Sequence, residues 1–104
     1  MDNKAREEIT RQSFLERQRK NQEAHEKMEG RLEDIGFHMN RRRGENEPLT
    51  SQVMGRLEQE ANQARQEYQD AWDRNMRNHE ETMTRMGYKE TDTGYIDIYT
   101  GKKV

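Results

Sequence analysis

The chain has 104 residues, no cysteine and a formal net charge of −2, with 28% of its residues hydrophobic and 38% charged. Leu, Ile, Val and Phe together number twelve, far fewer than a domain needs to offset its chain entropy around one spherical core. These figures exclude a disulfide scaffold, thiolate or cysteine–zinc chemistry and a transmembrane span, and a net charge this small does not by itself imply a nucleic-acid or anionic-membrane partner.

Residues 1–36 hold the first predicted helix, from about Asn3 to Ile35, a stretch rich in the helix formers Arg, Glu, Gln and Lys. Its expected stop is Gly36 in a left-handed cap, with Phe37 folding back toward Leu32. Gly30 weakens this helix by about 1 kcal/mol relative to Ala. Residues 37–50 then read as an Arg-rich turn punctuated by Gly44 and the single proline, Pro48.

Thr50 or Ser51 can cap a second helix over 51–87, and Gly87 ends it with Tyr88 as the apolar residue after the cap. The tail, 88–104, changes character. Tyr95-Ile96-Asp97-Ile98-Tyr99 alternates with period two between the turn signals Asp92-Thr93-Gly94 and Thr100-Gly101. It predicts a small β-hairpin or meander, with Ile96 and Ile98 on one face and Tyr95 and Tyr99 on the other. So short a hairpin must lean on a helix or a partner to be stable.

On the second helix, Met54, Leu57, Ala61, Ala64, Tyr68, Trp72, Met76, His79, Met83 and Met86 fall at steps of three and four. This is a heptad seam with one extra four-residue step around Trp72. On the first helix the matching row is Phe14, Gln18, Asn21, His25, Met28, Leu32, Ile35 and Met39, apolar only in its C-terminal half. Leu32 and Ile35 are expected to face Leu57, Tyr68, Trp72 and Met76. Residues 1–43 carry eleven basic and nine acidic side chains and residues 44–87 carry five and nine. Opposite signs suit an antiparallel pair, although exposed ion pairs select a register more than they stabilise one. The expected fold class is mainly α: a long helical hairpin or coiled coil with a short C-terminal β-hairpin.

Catalytic signals are weak. Asp92-Thr93-Gly94 matches the triplet of aspartic proteases, but that chemistry needs two aspartates inside a closed β-rich frame. His25, His38 and His79 have no metal-ligand spacing. Ser13 and Ser51 have no partners for a triad within reach in sequence, and no Gly-rich phosphate loop is present. No catalytic residue, cofactor or metal is expected.

The side chains left for partner contact are Phe14 and Leu15, the Arg41-Arg42-Arg43 run, and Tyr95 and Tyr99. They predict a non-enzymatic structural or adaptor protein that packs against a copy of itself or another protein in a larger assembly, of the kind bacteria and bacteriophages use. Its expected location is the cytoplasm, or the interior of a virion or other large assembly. One alternative is a small inhibitor that blocks an enzyme or nucleoprotein complex. Another is nucleic-acid association through the Arg run and the Tyr/Lys tail, whose binding would weaken steeply with salt. If Trp72 is buried in the seam, Trp72→Ala costs about 3–5 kcal/mol in a thermal melt.

Overall fold

In a computed structural model that describes residues 2–44 and 50–103, and the side chains of all of these except 41–44, the chain forms two long helices and a two-stranded hairpin. Helix α1 spans Asn3–Gly44, helix α2 Ser51–Arg85, strand β1 Tyr88–Thr91 and strand β2 Gly94–Asp97. The two helices pack against each other. Two compact units result, one of Met1–Lys20 with Asp73–Val104, the other of Asn21–Trp72.

Local chemistry explains where the helices start. Asp2 caps α1: its Oδ1 accepts the Ala5 N–H at 2.7 Å. Thr50 caps α2 in the same way, its Oγ1 accepting the Val53 N–H at 3.2 Å. Neither start depends on distant contacts.

The end of α1 differs from expectation. The helix runs through Gly36 to Gly44, so the first eight residues assigned to a turn are helical, and Phe37 stands 64% exposed instead of folding back. Gly36 has ordinary helical backbone and open space where a Cβ would be. A glycine's cost of about 1 kcal/mol in a helix does not outweigh the good formers around it. Half-buried Met39 adds an apolar residue beyond the glycine. Arg41, Arg42 and Arg43 therefore belong to the last turns of α1.

Gly87 does what Gly36 does not. Its φ of 86° reverses the chain after α2, and its N–H donates to the Thr84 carbonyl at 3.1 Å. A Cβ there would overlap the Tyr99 ring. Tyr88 follows, buried, and β1 pairs antiparallel with β2 in the register Tyr88↔Asp97, Lys89↔Ile96, Glu90↔Tyr95 and Thr91↔Gly94.

Alternation in β2 stops at Asp97. The chain turns there, with the Gly101 N–H on the Asp97 carbonyl at 2.7 Å, and a bridge between Ile96 and Lys103 makes a short third rung. Ile98 and Tyr99 thus lie in the turn, exposed, rather than extending the two faces of the strand. By pairing and alternation, Tyr88, Glu90, Tyr95 and Asp97 share one face of the hairpin and Lys89 and Ile96 the other.

In the unit of Asn21–Trp72, Leu57 and Ala64 are buried, and Met28, Leu32 and Ile35 form a half-buried row on α1. Leu32 and Ile35 line one groove with Leu57. Arg31 and Glu67 form an ion pair across the two helices, and His25 meets Tyr68 edge-on at 5.8 Å.

The seam departs from the predicted one in two places. Trp72 is 38% exposed; Ala71 and Asn75 occupy the inward positions, so the run of four-residue steps falls at 71, 75, 79 and 83. A small Ala and an Asn able to hydrogen-bond let the helices approach where an indole would hold them apart. On α1 the partly buried row is Arg6, Thr10, Ser13, Arg17, Asn21, Ala24, Met28, Leu32, Ile35 and Met39. Its steps of 4, 3 and 4 repeat three times, an 11-residue period close to the helix's natural turn and not a heptad. Phe14, Gln18 and His25 stand outside it, exposed.

These placements give three outcomes for a thermal melt. Gly36→Ala stabilises by about 0.5–1 kcal/mol, as for a mid-helix glycine with open space at its Cβ position, whereas Gly87→Ala destabilises by about 1–3 kcal/mol through its φ and the Tyr99 overlap. Loss of stability in Gly36→Ala would restore the cap. Trp72→Ala costs about 1 kcal/mol, well short of the 3–5 kcal/mol of a core indole.

Candidate functional site

The richest side-chain constellation lies in the unit that joins the start of α1 to the end of α2 and the hairpin. At its centre is Arg6, whose side chain is 11% exposed. Its Nε donates to the Met86 carbonyl at 2.9 Å, its Nη2 lies 3.3 Å from Asp97 Oδ1, and its guanidinium stacks 5.0 Å from the Tyr88 ring and 5.2 Å from the Tyr99 ring. The buried Nη2 forms an ion pair with Asp97 without meeting hydrogen-bond geometry. Asp97 Oδ1 also accepts the Tyr99 N–H at 2.9 Å. That backbone N–H, and then the Arg6 guanidinium, hold the Asp97 carboxyl below its usual range against the opposing effect of burial.

Two turns further along α1, Ser13 Oγ and His79 Nδ1 share a hydrogen bond of 2.8 Å. The buried His79 ring is edge-on to Phe14 at 6.3 Å and to Tyr95 at 5.9 Å. Burial pushes its pKa down, and the positive charge of Arg17 pushes it further. Arg17 lies over the Phe14 ring at 4.9 Å and reaches the Met76 sulfur at 3.7 Å. Burial, with Glu90 and Glu80 nearby, raises the Tyr95 phenol.

These residues enclose an open groove of about 410 Å³ floored by Phe14, His79, Met83, Tyr88 and Tyr95. Thr10 and Arg17 line it too, and Glu7 and Arg11 stand at its rim. Ser13 opens instead onto a smaller polar cleft of about 160 Å³ that includes Asn75, Asn78 and Lys20. In the other unit, Leu32, Ile35 and Met39 with Met54, Leu57 and Ala61 line a groove of about 620 Å³. A volume in this range with an apolar floor and a few polar groups is what binding sites require.

The expected contact residues are scattered. Phe14, 42% exposed, lies in the first groove; Leu15, 49% exposed, does not line it. Tyr95 turns inward onto His79 and is half-buried, so it joins the groove and not an outer face. Tyr99 is 73% exposed, yet one edge of its ring closes on Gly87 and Arg6. The side chains of Arg41, Arg42 and Arg43 lie outside the described residues. Of the seam set, Tyr68 and Met76 are half-buried and Trp72 is exposed.

Sequence reasoning missed Arg6, Thr10, Ser13, Arg17 and Asp97. The signal was present: stepping back from Met28 by 11 residues gives Arg17 and then Arg6. Because the positions are polar, a search for apolar repeats passes over them.

No family model, curated protein or solved structure matches the chain. Among the described residues no group of three or more His, Asp or Glu side chains is placed to hold a metal ion, and no helix is long and apolar enough to cross a membrane.

The shifts set the pH response. His79 titrates lower in the fold than its ordinary 6.5, so stability is complete above about pH 6.5 and declines as protons bind the unfolded chain first. Asp97 adds a second loss below its ordinary 3.8. Denaturant midpoints between pH 8 and 5 should fall for the parent and stay flatter for His79→Gln; equal slopes would remove His79 as the cause.

Proposed function

We propose that the chain is a non-enzymatic structural or adaptor protein that packs through its helices against a partner protein in a larger assembly. One observation carries this reading. Among the described residues the buried hydrophobic side chains are Leu57, Ala64, Met83 and Tyr88, whereas Ile9, Phe14, Leu15, Phe37, Trp72, Ile98 and Tyr99 are exposed. Single exposed apolar residues are ordinary. Here the large ones outside outnumber those inside, and three of them, Ile9, Phe14 and Leu15, fall within two turns of α1. Burying a large side chain of this type contributes about 1.5–3 kcal/mol, so a partner covering this end of α1 gains what the chain's own seam leaves unused.

The test is size-exclusion of a native extract. The parent should elute well above the 12.6 kDa of the single chain. A Phe14→Ser, Leu15→Ser double variant should move toward that mass while keeping its far-ultraviolet helix signal. Elution of the parent as a free 12.6 kDa chain would remove the proposal.

A further inference from the structure

The groove beside the hairpin has an electrostatic asymmetry that points to what fits it. The cations around it are mostly matched: Arg6 faces Asp97 at 3.3 Å, Arg11 grips both carboxylate oxygens of Glu8 at 2.9 and 3.0 Å, and Lys20 in the adjoining cleft meets Glu16 at 3.0 Å. Arg17 is the exception. It is half-buried and makes no ion pair among the described residues; its contacts are the Phe14 face at 4.9 Å and the Met76 sulfur at 3.7 Å. Neither contact carries negative charge, and burial, with the charge of Arg17 itself, lowers the pKa of the neighbouring His79. A partly desolvated guanidinium of this kind gains from a carboxylate, which its planar fork can bind through two hydrogen bonds.

The other end of the groove has the opposite sign. Glu7 stands on the rim ten residues earlier on α1, about 15 Å along the helix at 1.5 Å per residue. Glu90 and Glu80 also act on the Tyr95 phenol, so a carboxylate is favoured at Arg17 itself and disfavoured at the Glu7 end and beside Tyr95. Between Arg17 and Glu7 lies the apolar floor of Phe14, Met83 and Tyr95.

We infer that this groove receives a segment of a partner protein in which a large apolar side chain adjoins a carboxylate, the apolar group seated on Phe14, Met83 and Tyr95 and the carboxylate paired with Arg17. This rests on the partner-packing reading and names the chemistry of the segment that docks.

The probes are the blocked tripeptides Ac-Leu-Phe-Asp-NH2 and Ac-Leu-Phe-Asn-NH2, titrated into the full chain and followed by NMR. The Asp peptide should shift the Phe14 and Tyr95 ring signals and raise the His79 pKa, because its carboxylate offsets the charge of Arg17. The Asn peptide should bind about tenfold more weakly, as expected for loss of one charge-assisted pair. Arg17→Gln, with an unchanged helix spectrum, should abolish the difference between the peptides. Exchanging Asp for Asn on the peptide leaves the chain intact, so the comparison survives if the variant folds poorly.

Equal affinity for the two peptides overturns the inference, as does an unmoved His79 titration or no binding at millimolar concentration. Phenylacetate binding as tightly as the Asp peptide would make this a small-molecule subsite and overturn it as well. So would self-association in sedimentation that Arg17→Gln removes, since the occupant would then be a second copy. Failure of the peptides with high-mass elution of the native chain sinks only the groove assignment; elution at the single-chain mass sinks the broader reading.

Discussion

Arg6 ties together the unit of Met1–Lys20 and Asp73–Val104. Its guanidinium joins α1 to the chain reversal at Met86, to β2 through Asp97, and to both tyrosine rings that flank the hairpin. A two-stranded hairpin has too little apolar surface to stand alone in water, and with Tyr88 the one buried hydrophobic side chain of the hairpin among the described residues the polar contacts must fix its position. One rigid, permanently charged fork meets a carbonyl, a carboxylate and two π-faces at once, which a Leu at the same position does not.

A shortage of apolar residues produces a seam of two kinds. In the unit of Asn21–Trp72 it is conventional, with Leu32, Ile35 and Leu57 facing one groove. In the unit of the termini, α1 offers Arg6, Thr10, Ser13 and Arg17 in the inward row, and α2 answers with Asn75, Met76, His79 and Met83. Buried polar groups are tolerated when they satisfy one another, as Ser13 and His79 do at 2.8 Å. The same choice turns Phe14 and Leu15 outward. Exposure of those two side chains and polarity of the seam behind them are one fact seen from two sides.

That trade explains what was legible in the sequence. The two helices, the hairpin, a cap at Thr50 or Ser51 and the Gly87 reversal follow from local chemistry and are readable. Gly36 and Gly87 show the limit of such reading: each precedes an aromatic residue, yet only Gly87 is followed by a chain that must turn back, and only there is φ positive. Sequence position alone does not separate a glycine that ends a helix from one that a helix runs through. The inward face of the first half of α1 was not readable, because a search for apolar repeats selects Phe14 and ignores its polar neighbour Ser13. The inward turn of Tyr95 is unreadable for a related reason, since alternation says which residues share a face and not which face meets the helix.

The long sequence separation of the Arg6 contacts has a consequence for synthesis. Arg6 meets Met86 and Asp97, 80 and 91 residues further on, whereas the unit of Asn21–Trp72 is drawn from one continuous stretch. At about 5–20 residues per second of translation, the middle of the chain is complete seconds before the hairpin exists. Local contacts close first and distant ones must wait for loop closure. The first turns of α1 therefore leave the ribosome with their inward row unmatched. A cell that makes this protein holds, for those seconds, a nascent segment on which Ile9, Phe14 and Leu15 are already available to chaperones or partners before Arg6 has anything to grip.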